Sequence, residues 1–147
     1  MGAAAGAAGT TMLNAVTYGD IAIRGRSPSK TPEQSVHRLT DAIGVRVPGE
    51  TDQRENRIVG LAALLGIAAG VATGAVVGLA RAAGWRRRWL PTAIAITSVA
   101  MLAGNAPMTG LGVTDPRTWS RADWLSDVVP HVGFGAVTAA VLVRLDP

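Results

Sequence analysis

A run of residues without a charged side chain, residues 58–80, is the feature that most constrains this chain. Glycine recurs in it at every fourth position, at Gly66, Gly70, Gly74 and Gly78. At 3.6 residues per turn, this spacing keeps a strip without side chains along roughly one face of a helix, so another backbone can approach closely. Such a helix is about 34 Å long, enough to cross the hydrocarbon layer of a bilayer. The run therefore predicts a membrane-spanning helix with a glycine zipper.

The composition predicts the same class of protein. Hydrophobic residues make up 48% of the chain and charged residues only 16%, which is typical of a small helical membrane bundle. The chain has no cysteine, which excludes disulfides, thiolate zinc sites and a cysteine nucleophile. Its net charge of +4 comes from basic residues at segment ends, where membrane proteins carry them, so we do not expect nucleic acid as a partner.

The hydrophobic segments predict an all-α, integral membrane bundle of about four transmembrane helices in a single domain, residues 1–147. The spans are expected at about residues 2–23, 58–82, 90–112 and 124–145, with a polar loop at 24–57.

The first and third of these spans are the least regular. The first consists mostly of Ala, Gly and Thr, so we expect it to need a partner helix; its small residues recur every four positions, as at Gly2 and Gly6, and match the glycine strip. A cleaved secretory signal is the competing interpretation. In the third span, Pro107 and the residues around Asn105 predict a kink or an unwound segment.

The polar loop contains a short amphipathic helix in this interpretation. Thr31 and Gln34 form a capping box, Pro32 suits the first helical position, and Gly44 ends the helix. Val36 belongs to its apolar face, which we expect to lie on the membrane or on the bundle.

The basic residues give two conflicting orientations. The arginine turn, residues 81–88, holds four arginines between two spans, which favours a cytoplasmic location for this turn. Counting whole loops favours the opposite side, with nine basic residues against five. We prefer the first orientation, because the residues of the long loop are spread far from either membrane end.

Asp127 and His131 are the leading candidates for chemistry at membrane depth. Their spacing of four puts both on one helical face, where the carboxylate can hold the imidazole, and Asn105 and Asn14 are possible further participants. Such a group is compatible with a proton or ion role, or with half of a metal site. The alternative is structural: a carboxylate near the membrane interface that bonds a neighbouring histidine. His37, in the polar loop, is expected to belong to a solvated ion-pair face.

The glycine strip also has two interpretations. Small residues in membrane helices usually pack against another helix of the same chain, and otherwise mediate homo-oligomerisation or docking to a larger membrane complex. No glycine-rich segment follows the pattern of a phosphate-binding loop, and Thr97, Ser98 and Ser126 lack a companion base for nucleophilic catalysis.

A family likeness rests on four segments: the Gly-Ala-rich opening, residues 14–25, the Thr-Pro-Glu-Gln at 31–34, and the His-Val-Gly-Phe-Gly at 131–135. Together they resemble small bacterial membrane proteins of the YagU-like inner-membrane group. The resemblance implies a bacterial inner-membrane location, with at most a link to the envelope or to acid stress, and it carries over no catalytic residue.

The sequence therefore predicts a multi-pass cell-membrane protein without cofactor or enzymatic activity, a structural or accessory subunit that packs through small-residue helix faces in the lipid bilayer. The alternative is a small proton-coupled or ion transporter that uses Asp127 and His131, with Asn105 as a third group.

Overall fold

The structure, a computed structural model, describes residues 1–145; positions 146 and 147, the end of the predicted domain, lie outside the described residues. Regular structure in the described part of the chain is entirely helical, which confirms the predicted class. The helices are α1 (Gly2–Arg24), α2 (Thr31–Ala42), α3 (Thr51–Ala82), α4 (Trp89–Gly110) and α5 (Arg121–Leu145), with one 3₁₀ turn at Pro116–Thr118.

Three of these helices, α3, α4 and α5, are long and apolar enough to cross a membrane. α1 has 23 residues, which is long enough, but it is not among the three. Its many alanines, glycines and threonines contribute less hydropathy than the larger aliphatic side chains that the three candidate spans contain. The described chain therefore confirms a helical bundle with three candidate spans, and the fourth span stays a prediction.

The four long helices α1, α3, α4 and α5 run alternately up and down. α1 packs against both α3 and α5, and α4 packs against α5. α1 runs antiparallel to α3, because Gly2 lies beside Gly78 while Thr10 lies beside Gly70. α1 thus lies between α3 and α5, and its many small residues let these two helices approach it closely.

Phe134 of α5 fills the space between the three helices. Its side chain is only 1% exposed, and its ring faces glycine positions on two neighbours: Gly9 of α1 and Gly70 of α3. The core around it is apolar and consists otherwise of Ala5, Val77, Ala93, Ile96, Ala139 and Leu142. A bulky ring opposite glycines fills the gaps that the missing side chains leave.

α2 begins differently from the prediction. Thr31 is already its first helical residue and caps nothing; the Ser29 hydroxyl accepts the Thr31 backbone N–H at 3.2 Å instead. The capping-box prediction is therefore wrong, because Ser29 supplies the acceptor two residues earlier. The other end agrees with the expectation: the helix ends at Ala42, and Gly44 adopts a left-handed conformation with φ +68°.

α4 runs without interruption through Asn105, so the predicted unwinding there is wrong. Pro107 lies inside the helix but only three residues before its end at Gly110, where one missing backbone hydrogen bond matters little. The Thr109 hydroxyl donates a 2.8 Å hydrogen bond to the Asn105 carbonyl in this last turn.

Candidate functional site

Asp127 and His131 lie one turn apart on α5, as their spacing requires. The His131 Nδ1 atom is 2.7 Å from the Asp127 backbone carbonyl oxygen and 3.4 Å from the Asp127 carboxylate. A backbone carbonyl oxygen can only accept a hydrogen bond, so Nδ1 is the nitrogen that carries the hydrogen in this contact. The imidazole is thus oriented by its own helix, and its Nε2 atom makes no hydrogen bond within residues 1–145.

Asn105 connects this pair to the neighbouring helix. Its side-chain amide, on α4, donates a 2.9 Å hydrogen bond to the second carboxylate oxygen of Asp127. The Asp127 carboxylate therefore lies between an amide from α4 and an imidazole from α5. The side chains of Asp127 and His131 are only 20% and 19% exposed, so this network is largely shielded. We call Asn105, Asp127 and His131 the polar cluster.

A glycine allows α4 to approach α5 next to the polar cluster. A Cβ atom added at Gly135 would lie 2.7 Å from the Ala93 carbonyl oxygen, closer than any real side chain comes. The Thr97 hydroxyl occupies the space that a side chain at Gly135 would take, and it donates a 3.4 Å hydrogen bond to the His131 carbonyl. One turn further, the Trp89 indole N–H donates to the Ala136 carbonyl at 3.1 Å. The polar cluster thus belongs to a seam of close backbone contact.

The polar cluster lies near one end of the bundle, close to the start of α5. Asp127 is six residues from the start of α5 at Arg121, or about 9 Å along the axis. Trp119 and Trp124 stack edge to face just outside it, with ring centroids 4.9 Å apart. Tryptophans concentrate at membrane interfaces, so in a bilayer this position would put the polar cluster near one end of α5 rather than at its middle.

The remaining polar candidates lie elsewhere. Asn14, on α1, makes no hydrogen bond to the polar cluster within residues 1–145. His37 lies on α2, where its Nε2 atom is 3.6 Å from the Glu55 carboxylate of α3. This contact joins two helices, whereas the predicted ion-pair face of His37 would lie along α2 alone. No group of three or more metal-ligating side chains comes together in the part of the chain that the structure describes.

Three of the four glycines of the strip lie against α1. A Cβ atom added at Gly74 would lie 2.5 Å from the Gly6 Cα, and one at Gly78 would lie 2.8 Å from the Gly2 Cα. A Cβ atom at Gly70 would meet the Thr10 side chain. The first two contacts join backbone to backbone, which a residue larger than glycine does not permit.

The fourth glycine of the strip, Gly66, is open. A Cβ atom added there meets nothing within 4 Å outside its own helical turn. A period of four residues advances by about 40° around the helix at each repeat, so the strip turns away from a single straight partner. α1 therefore covers one end of the strip and leaves the other end uncovered.

A second close contact, between the other face of α1 and α5, was not recognised from the sequence. A Cβ atom at Gly9 would lie 2.9 Å from the Phe134 carbonyl oxygen, and one at Gly133 would lie 3.2 Å from the Met12 side chain. The four-residue spacing of Ala5 and Gly9 predicts, with that of Gly2 and Gly6, a contact with the glycine strip of α3, but it marks a distinct face of α1.

Comparison with models of known protein families, with curated protein sequences and with solved structures gives no match for this chain.

Proposed function

We propose that this chain is a non-enzymatic, four-span protein of the bacterial inner membrane, which acts as a structural or accessory subunit. Its long helices support residence in a bilayer, because large apolar side chains remain exposed along them, as at Leu64 and Leu79 of α3 and at Ile94 and Leu102 of α4. Apolar faces of this extent are stable when covered by lipid or protein.

The position of α1 supports a fourth span. It lies lengthwise against two candidate spans, from Gly2 beside Gly78 to Val16 beside Gly133. A helix packed along two membrane spans occupies the same depth, and its 23 residues reach about 34 Å. Its low hydrophobicity is offset by close packing, because α3 and α5 cover Gly6, Gly9 and Thr10, which would otherwise face lipid.

The backbone contact between Gly6 and Gly74 carries the proposal. It is formed by small residues on both helices, at matching four-residue spacings, and van der Waals packing of this kind drives helix association in lipid. We infer that the strip is a glycine zipper. Its α1 end holds the bundle together, and its open end at Gly66 is the part of the strip available to a second copy or to a larger membrane complex.

Two substitutions on the same strip test this proposal. Gly74→Ile places a branched side chain into the α1 backbone, so we expect loss of the folded bundle in mild detergent. Gly66→Ile adds the same side chain where this chain has open space, so we expect the bundle to keep its thermal stability while copurification of a partner, or self-association, is lost. Unchanged association of the Gly66→Ile variant would show that the strip serves only internal packing and would contradict an accessory role through it.

The polar cluster favours a second candidate function, a small proton-coupled or ion transporter. Its basis is a shielded carboxylate held between Asn105 and His131, because ionisable groups within membrane spans commonly serve ion or proton pathways. Protein in liposomes, assayed for proton or ion flux, separates the two functions. Flux that disappears with Asp127→Asn and His131→Ala but persists with Asn14→Ala would support the transporter; a flux insensitive to these changes would exclude this cluster as the pathway.

A further inference from the structure

A cleft of about 430 Å³ lies on the polar side of the bundle, where α2, the loop that follows it and the first turns of α3 meet. The loop is fastened to α3, since the Arg57 guanidinium donates a hydrogen bond to the Pro48 carbonyl. Val47 of the loop also packs on the small apolar cluster of Val36, Ile58 and Ala62. The walls of the cleft are therefore held by specific contacts.

The charges in the cleft favour an anionic ligand. Arg46 and Arg54 line it from the loop and from α3, and within residues 1–145 neither guanidinium makes a hydrogen bond or an ion pair. His37 lines the cleft as well, with its Nε2 atom beside Glu55. Asp41 is the one carboxylate among the lining residues. Two unpaired guanidiniums facing one carboxylate leave the cleft positively charged, with donors in the forked geometry that suits phosphate.

The height of the cleft corresponds to the headgroup layer of a bilayer. The uncharged stretch of α3 begins at Ile58, and Arg54 lies four residues before it, or about 6 Å further out along the helix. The headgroup layer on each side of the hydrocarbon is about 5–8 Å thick. If α3 crosses the membrane, the Arg54 guanidinium is therefore level with lipid phosphates.

The apolar surface beside the cleft suits the acyl chains of a lipid. Val36 fixes α2 to α3 and is only 2% exposed. Leu39, Ile43 and Val45 nevertheless remain exposed, with Ile43 at 63% and Val45 forming part of the cleft wall. Exposed aliphatic side chains next to unpaired arginines are typical of a segment that lies in the membrane interface.

We propose that this cleft binds the phosphate group of an anionic phospholipid, through Arg46 and Arg54, with Ile43 and Val45 against its acyl chains. This assignment rests on the proposed membrane residence. A free phosphate ion has the same charge chemistry but makes no use of the aliphatic rim, so the lipid is the ligand that uses both parts of the surface.

Native mass spectrometry of the full chain from mild detergent tests the proposal, with phosphatidylglycerol and phosphatidylcholine of matched acyl chains added in equal amounts. We expect the unaltered protein to retain phosphatidylglycerol preferentially. The double variant Arg46→Gln/Arg54→Gln should lose this preference by about tenfold or more. The matched control, Lys30→Gln/Arg38→Gln, removes the same charge from exposed positions that do not line the cleft, and should keep the preference.

Three outcomes would overturn the assignment. Equal retention of the two lipids by the unaltered protein removes the headgroup selectivity, and an equal loss in the control variant reduces it to overall charge. Complete displacement of the lipid by excess inorganic phosphate would indicate a free-anion site. A failure of membrane residence is distinguishable from these, because the protein would then stay dissolved without detergent and retain neither lipid.

Discussion

The side-chain amide of Asn105 donates a 2.9 Å hydrogen bond to the Asp127 carboxylate, and this bond joins α4 to α5 at the same level as His131. The carboxylate thereby has a partner from each helix. In a lipid environment, where water does not compete, such a bond both orients the carboxylate and holds the two helices in one register.

Removal of the Asn105 amide should weaken the bundle. We expect Asn105→Ala to lower the free energy of unfolding by about 0.5–1.7 kcal/mol, the range typical of side-chain hydrogen bonds between membrane helices. Unfolding by SDS in mixed micelles, followed by circular dichroism, measures this change.

Asn14→Ala is the matched control for this experiment, because Asn14 makes no side-chain hydrogen bond in the described part of the chain. Its unfolding free energy should change by less than about 0.5 kcal/mol. An equal loss in both variants would mean that the Asn105–Asp127 bond does not hold the helices together.

Alanine substitutions at two glycines of α1 should change the stability of the bundle differently. A Cβ atom at Gly6 would lie 2.5 Å from the Gly70 carbonyl oxygen, so Gly6→Ala must push α1 away from α3 and should destabilise the bundle by about 1–3 kcal/mol. Gly19 has nothing within 4 Å, so Gly19→Ala should be neutral or stabilising by up to about 1 kcal/mol. The same SDS titration compares them, and a destabilised Gly19→Ala with an unaffected Gly6→Ala would refute the close contact.

The apolar helices and the close contact between α1 and α3 differ in how far the sequence could predict them. Hydrophobicity and charge are local properties, so the apolar stretches of α3, α4 and α5 could be read residue by residue. The register of α1 on α3 could not be predicted in this way. Two helices with small residues at every fourth position fit together equally well after a shift of four residues. The observed pairing of Gly6 with Gly74, and the open Gly66, depend on how the whole bundle packs.

The polar cluster shows the same division. A spacing of four is enough to put Asp127 and His131 on one face of α5. The sequence could only suggest the bond from Asn105, since that bond requires α4 and α5 to be aligned along their axes, and distant contacts such as that of Gly135 with Ala93 set this alignment. The start of α2 was missed for a different reason, because several nearby hydroxyls compete for one backbone N–H and Ser29 is the one that binds it.

The contact between α4 and α5 should be as sensitive to added volume as that between α1 and α3. A Cβ atom at Gly135 would lie 2.7 Å from the Ala93 carbonyl oxygen and 3.0 Å from the Thr97 backbone nitrogen, and backbone atoms cannot turn aside. We expect Gly135→Ala to destabilise the protein by about 1–3 kcal/mol. Gly104→Ala, on α4, meets nothing within 4 Å and is the control. Thermal unfolding in detergent compares the two, and a Gly135→Ala variant as stable as the control would rule out the tight seam.

The number of spans can be decided by labelling, because the chain has no cysteine of its own. Single cysteines are introduced by Ala3→Cys at the start of α1, Ser27→Cys after α1, Arg87→Cys in the arginine turn and Arg117→Cys after α4. Each variant is treated, in sealed vesicles, with a thiol reagent that does not cross membranes.

If α1 crosses the membrane antiparallel to α3, positions 3 and 87 should react from one side and positions 27 and 117 from the other. The pair at 87 and 117 reports the crossing of α4 and serves as the internal reference. Reaction of positions 3 and 27 from the same side would mean that α1 does not cross, leaving three spans. Because close contact with α3 and α5 replaces the hydrophobicity that α1 lacks, Gly6→Ile should shift position 3 toward the side of position 27 if packing is what keeps α1 inserted.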